Sequence, residues 1–165
     1  MRWREDPTRA QRPRPDATIR PALPEDAELL PIIRAACLQQ CLGSHYTRQH
    51  IAAWLEADAR GNGETPGQIR VAEMQGAVAG YAAWDGDELL ATFVVPAAQD
   101  MGVGTLLVET CMNAAANRGG HISRVRATLN AVEFYRALGF LPTEAGFHEA
   151  GDVRIPYQLM VRRDA

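Results

Sequence analysis

Gln99-Asp100-Met101-Gly102-Val103-Gly104-Thr105 holds the residues whose types and spacing point most directly to chemistry. An apolar run, Leu89 to Pro96, precedes it and reads as a buried strand; Leu106 to Cys111 follows and reads as the opening of an amphipathic helix. A glycine-containing turn between strand and helix is an anion site. The first helical N–H groups have no intrahelical partner, and the helix dipole places partial positive charge there. Glycines at such a turn let the backbone approach a phosphate. The loop therefore predicts a phosphate-bearing, nucleotide-like ligand.

The variants of such loops separate by their neighbours. A dinucleotide fingerprint needs a third glycine three positions after the second, where Leu107 stands. A P-loop ends in Gly-Lys-Ser/Thr, and this chain contains no lysine, which also removes Schiff-base chemistry. What fits is Val94-Val95-Pro96 followed by Gln99-x-x-Gly102-x-Gly104. This resembles the acetyl-coenzyme A signature of the GNAT N-acetyltransferase superfamily. A second stretch, Asn130-Ala131-Val132-Glu133-Phe134-Tyr135-Arg136-Ala137-Leu138-Gly139-Phe140, is similar to that superfamily's later segment, Asn-Ala-x-x-Phe-Tyr-x-x-x-Gly-Phe. The resemblance runs from Ala17 to Arg162.

The resemblance implies an acetyl-CoA-dependent N-acetyltransferase that moves an acetyl group to a primary amine of a small molecule by direct attack. Amide formation from a thioester needs a placed donor, a neutral amine, an oxyanion donor and an acid for the leaving thiolate. Gln99, Asp100, Met101, Gly102, Val103, Gly104 and Thr105 are the expected pyrophosphate loop. Phe93, Val94 and Val95 are expected beside the pantetheine arm, with Asn130 as a further contact to it. The family's strands splay at this point, so the cofactor enters a gap between the strand ending at Val95 and that of Ile122–Leu129. Tyr135 is the expected general acid. Glu88 is the candidate base, with Asp85, Asp87, His45, a water chain or substrate ionisation as alternatives. Family analogy draws the acceptor pocket from Leu42–Tyr46 and the strand ends near Trp84. That makes His45, Tyr46 and Trp84 the expected substrate contacts, in a pocket that is aromatic with few fixed charges. The rival readings are a non-catalytic acyl-CoA-binding regulatory module and a protein N-acetyltransferase.

Composition sets bounds. A chain of 165 residues is expected to form one domain with a proper core. A formal net charge of −3 argues against general nucleic-acid affinity. The longest apolar run is too short to cross a membrane, and the amino terminus lacks the apolar core of a signal peptide. Three cysteines without secretory context suit reduced thiols in a cytoplasmic protein. Cys37, Cys41, His45 and His50 fit no common zinc spacing, so no metal is expected. A homodimer is left open.

The elements that must position these residues follow from periodicity and punctuation. Residues 1–16, rich in Arg and Pro, read as an extension without fixed structure, and 17–165 as the single domain. A first strand at Ala17–Pro21 leads to a helix starting at Pro24-Glu25-Asp26, with Leu29, Leu30, Ile33 and Cys37 on its apolar face. Thr47 reads as the next N-cap, with Tyr46 and Ile51 as a hydrophobic staple. Arg60–Gly67 reads as a loop. Strands at Gln68–Met74, Val78–Trp84 and Glu88–Val95 form a meander, turned at Gln75-Gly76 and Asp85-Gly86. The helix after the glycine loop ends at Gly119-Gly120. After strand Ile122–Leu129, Asn130 is expected to cap a short helix, with Glu133 closing a capping box, and Gly139 to end it. Strands near Leu141–Glu149 and Val153–Val161 complete an α/β (mixed α+β) GNAT-like order: a central, mostly antiparallel sheet of about seven strands flanked by about four helices.

Overall fold

From Ala79 to Trp84 every residue is buried, which marks a strand covered on both faces. Alternation sends Tyr81 and Ala83 to one side and Ala82 and Trp84 to the other. This strand is the third of seven in a computed structural model of the chain, which describes residues 15–62 and 67–163. The expected extension over residues 1–14 and the tip of the expected loop at 63–66 lie outside the described residues.

The strands are β1 (Thr18–Pro21), β2 (Gln68–Met74), β3 (Ala77–Asp85), β4 (Glu88–Val94), β5 (Arg124–Ala127), β6 (Leu141–Ala150) and β7 (Val153–Val161). They form one sheet in the order β1-β2-β3-β4-β5-β7-β6. Every neighbouring pair is antiparallel except β4 and β5. The helices are α1 (Leu29–Gln40), α2 (Arg48–Ala57), α3 (Val103–Asn117) and α4 (Val132–Ala137). The mixed seven-stranded sheet with four helices is therefore the architecture expected from the sequence.

α1 lays Leu30, Ile33 and Cys37 on Val71, Tyr81, Ala83 and Ala91, on one face of the sheet. α3 lays Val103, Leu107, Val108, Cys111 and Ala115 on the other face, against Ala72, Ala82, Trp84 and Leu89. α4 joins that second layer through Tyr135. α2 packs with the end of α1 over β6 and β7, around Leu38, Leu42, Tyr46 and Ile155. Thr47 caps α2 as expected: its hydroxyl accepts the His50 N–H at 3.1 Å, and His50 Nδ1 accepts the Thr47 N–H at 3.1 Å.

Three local expectations are corrected. Pro24–Asp26 is a separate 3-10 turn, and α1 begins only at Leu29. β5 is confined to Arg124–Ala127, shorter than the expected strand Ile122–Leu129. Asn130 does not cap α4. It sits in a 3-10 turn, Leu129–Ala131, and its side-chain amide donates instead to the Cys41 carbonyl at 3.0 Å, tying the end of α1 to this turn. Glu133 correspondingly faces Arg136 rather than closing a capping box.

Asp26 is the one buried charged residue among those described. Its carboxylate accepts from Arg20 Nη1 and Nη2 at 2.8 and 3.0 Å and from the Leu23 N–H at 2.7 Å. The Arg20 guanidinium, then the Leu23 N–H, hold its pKa below the usual carboxylate value. A carboxyl whose folded pKa is lowered stabilises the fold above its unfolded pKa, about 4, and loses that contribution as pH falls through the folded value. Asp26→Asn is therefore expected to lower the melting temperature at neutral pH and to flatten its acid-side decline. Parallel acid-side curves for the variant and the parent would contradict this.

Candidate active site

β4 and β5 pair at only two positions, Glu88↔Arg124 and Leu89↔Val125. Beyond them β4 runs on to Val94 while β5 diverges, so the two strands open a gap. β4 also carries one residue more than its partner on the other side. Ala83 pairs with Ala91 and Trp84 with Leu89, leaving Leu90 as a bulge. A bulge bends the strand and breaks the ladder locally, leaving a residue unpaired beside the gap. The gap widens into a cavity of about 400 Å³.

The phosphate-type loop lies at the far end of β4. After a 3-10 turn at Pro96–Ala98, Asp100 and Gly102 both take positive φ, +61° and +83°. Gly102 is the N-cap of α3 in the left-handed conformation that favours glycine. No side chain caps this helix, and no acidic residue lies in its first turn. Its leading N–H groups are thus free of side-chain competitors, and the dipole favours an anion there. These features fit the phosphates of coenzyme A. The side chain of Pro15 comes closest to Gly102, where the described chain begins.

The other expected cofactor residues are held together at the neck of the gap. Gln99 Nε2 donates to the Val94 carbonyl at 3.0 Å and to Cys41 Sγ at 2.9 Å. Cys37 Sγ also reaches the Val94 carbonyl, at 3.2 Å. Through Cys41, the Asn130 amide joins the same group.

Tyr135 lines the cavity from α4. It is 5% exposed, and its ring stands edge-on to Phe134 and Phe140 at 4.9 and 5.9 Å between centroids. Burial pushes its phenol up to about 12, with the Thr92 hydroxyl beside it acting the other way. Such a phenol stays protonated throughout the neutral range and keeps a proton to give. Thr92 Oγ1 is itself buried with no well-formed hydrogen bond.

Glu88 stands at the closed end of the gap, beside two guanidinium groups. Its carboxylate lies 3.6 Å from Arg124 Nη2 and 3.2 Å from Arg126 Nε. Trp84 is buried in the α3 layer, with the Arg70 guanidinium over its ring. His45 lies in a 3-10 turn, Gly43–His45, between α1 and α2. Tyr46 is buried. Its hydroxyl donates to the Pro156 carbonyl at 2.7 Å and accepts the Leu129 N–H at 3.0 Å. None of His45, Tyr46 and Trp84 lines the cavity. Tyr46 instead supports a residue that does, packing edge-on to Trp54 at 5.8 Å.

The opposite wall comes from residues that sequence reasoning did not single out: Arg34, Asp58, Arg126, His148 and Tyr157. Arg34 Nε lies 2.6 Å from Asp58 Oδ2, and its guanidinium covers the Phe93 ring at 5.2 Å. Trp54, Phe93 and Tyr157 give the cavity an aromatic lining, but Arg34, Asp58, Arg126 and Glu149 line it too, so it is more charged than the expected pocket and its aromatic residues are different ones.

Tyr46 offers a clean structural test. Tyr46→Phe leaves the ring packing and strips a partner from the Leu129 N–H and the Pro156 carbonyl. A loss of about 1–3 kcal/mol is expected, the usual cost of leaving such groups unsatisfied. Denaturant unfolding measures it, and an unchanged midpoint would remove the clamp from this account.

A sheet covered on both faces, whose two parallel neighbours diverge beside the uncapped N-terminus of α3, offers a cleft for an extended, phosphate-bearing ligand. The family model of the acetyltransferase (GNAT) domain matches residues 42–161, and the chain belongs to that family. Solved structures agree. A GCN5-related N-acetyltransferase from Rhodopseudomonas palustris is 28% identical, with 91% of this chain and 96% of that one covered and a TM-score of 0.79. PaiA N-acetyltransferase from Thermoplasma acidophilum, solved in complex with coenzyme A, is 17% identical over 90% of this chain and 99% of its own, with a TM-score of 0.63. Arabidopsis thaliana Naa50, in complex with a bisubstrate analogue, shares the fold at 11% identity over 90% of this chain and 99% of its own, with a TM-score of 0.61. No curated protein matches the sequence significantly.

Proposed function

We propose that this chain transfers the acetyl group of acetyl-CoA directly to the primary amine of a small molecule within a ternary complex. The observation that carries the reading is the cavity between β4 and β5. It meets a buried, protonated Tyr135 on one side and an aromatic, ion-paired wall on the other.

Each part has a role for this chain's own residues. The N–H groups at Gly102–Thr105 hold the phosphates. Phe93, Val94 and Val95 present backbone to the pantetheine arm. Opening that site releases the Gln99 amide from the Val94 carbonyl, and Asn130 stands beside the same arm. When bound, the thioester supplies the activated acetyl group. A backbone N–H at the Leu90 bulge stabilises negative charge as it develops on the acetyl oxygen. Tyr135 donates its hydroxyl proton to the departing sulfur, and the second proton of the attacking nitrogen restores it. Glu88 holds Arg126 in place at the closed end of the gap.

Direct attack is supported by the state of the two buried thiols. Burial pushes both Cys37 and Cys111 up to about 12, so neither is a thiolate nucleophile at neutral pH. A small acceptor suits the bounded volume and the aromatic lining. The test is release of coenzyme A thiol with a panel of 2-phenylethylamine, single amino acids, spermidine and a short peptide with a free amino terminus. Highest turnover with the arylalkylamine supports the reading. Peptide or spermidine as best acceptor overturns the acceptor class, and tight acetyl-CoA binding with no thiol release by any amine overturns catalysis.

A further inference from the structure

From the way β6 and β7 close the acceptor side of the gap, we propose that His148 is the catalytic base that takes the proton from the acceptor's ammonium group. The proposal rests on the acetyltransferase reading above and adds a residue that the sequence did not single out.

β6 is an edge strand, and its alternation puts Gly146, His148 and Ala150 on one face. His148 and Ala150 line the cavity. Gly146 pairs with Tyr157, and a Cβ on Gly146 would overlap the Tyr157 ring. The missing side chain lets that ring lie down over β6 and back the imidazole, at 4.6 Å between centroids and 39° between planes. His148 is thus aimed rather than loose. Neither ring nitrogen makes a hydrogen bond among the described residues, so a lone pair is available. The ring also reaches solvent, which gives the captured proton an exit.

The charges around it come from every side of the cavity. Arg34 of α1 is paired with Asp58 after α2, and Arg126 of β5 is paired with Glu88 of β4. Tyr157 of β7 and Glu149 of β6 complete the wall. Desolvation, then Arg126 and Arg34, hold the imidazole below its ordinary value, with Glu88 opposing. A histidine in this setting is neutral at neutral pH and ready to accept a proton. The same two guanidinium groups disfavour an ammonium beside it, which eases the transfer. Glu88 is less suited, because its carboxylate already faces Arg124 and Arg126.

The proton balance is simple. His148 takes one proton from the ammonium nitrogen and passes it to water. The neutral amine forms the C–N bond as the C–S bond breaks. The nitrogen's second proton replaces the one that Tyr135 gives to sulfur.

His148→Gln keeps a polar side chain that cannot take the proton. Its melting temperature and acetyl-CoA affinity are expected to match the parent. With the best amine of the panel, kcat/KM at neutral pH should fall roughly 10- to 1000-fold. The shape of the profile should change too. The parent should level off above the imidazole pKa, whereas the variant should climb about tenfold per pH unit toward the amine's own pKa and recover there. Gly146→Ala, which moves Tyr157 without touching the imidazole, should shift the parent's acid limb while keeping its shape. An NMR titration of His148 in the parent, which needs no acceptor, should give a midpoint below 6.5. A parent-like profile in His148→Gln, or a midpoint at or above the ordinary value, overturns the base and leaves acetyl transfer standing. A parent that acetylates no amine of the panel overturns both.

Discussion

Gly104→Val is expected to weaken acetyl-CoA binding by roughly 5- to 150-fold, the affinity equivalent of about 1–3 kcal/mol, the usual scale of overpacking a tight site. Gly104 lies in the first turn of α3 with its bare Cα toward the gap. A Cβ there would stand 3.3 Å from Phe134 Cε2 and Cζ, and 3.8 Å from Val94 Cγ2. That is already tight for one methyl group, and the two branches of valine must push Phe134 aside. Phe134 lines the cavity and packs edge-on to Tyr135, so the displacement propagates to the expected acid. The sequence alone offered a different reason, a side chain in the path of the phosphates. The packing contact adds to it and predicts a graded series, with alanine less harmful than valine. Calorimetry with acetyl-CoA on the variant, at a temperature where circular dichroism shows it folded, is the measurement. Unchanged affinity would mean that the loop does not hold the cofactor.

Tyr135→Phe isolates the hydroxyl. The ring's contacts with Phe134 and Phe140 remain, and Thr92 Oγ1 loses only a neighbour with which it makes no well-formed bond. Turnover is expected to fall by roughly 10- to 1000-fold, the usual worth of a positioned acid, while acetyl-CoA affinity holds. The phenol's pKa of about 12 fixes the sign of the pH effect. An acid with a raised pKa keeps its proton to higher pH, so the parent should show no loss of this group at the ordinary phenol value near 10. Equal kcat in the variant across pH would assign Tyr135 to packing alone.

What the sequence discloses here is what the chain builds locally. The strand into Val94, the left-handed Gly102 and the start of α3 are consecutive residues, and their anion-binding geometry follows from backbone sterics alone. Tyr135 stands out for a similar reason: the stretch Asn130 to Phe140, which carries the family resemblance, is one local segment. Asn130 shows the limit. Its type and place predict a helix cap, yet the nearby Cys41 carbonyl, 89 residues away in sequence, takes its amide instead. The far wall of the cavity is out of reach for the same reason. Arg34, Asp58, Arg126, His148 and Tyr157 come from α1, the turn after α2, β5, β6 and β7. Only tertiary pairing brings them together, so no spacing advertises them. The period-two alternation along β6 does place His148 with Gly146 and Ala150, a signal that becomes readable once the gap is known. Family analogy puts Tyr46 among the pocket residues. Two buried hydrogen bonds make it a clamp beneath the pocket instead.

In the proposed reaction the acetyl group passes from acetyl-CoA to a small amine without resting on the protein. The most direct test is one reaction, quenched in early turnover and read by mass spectrometry for small molecules and intact protein together. With the best amine of the panel, coenzyme A thiol and N-acetylated amine should appear in equal amounts while the mass of the protein stays unchanged. Thiol without acetylated amine, or an acetyl group accumulating on the protein before the amine is acetylated, would contradict it.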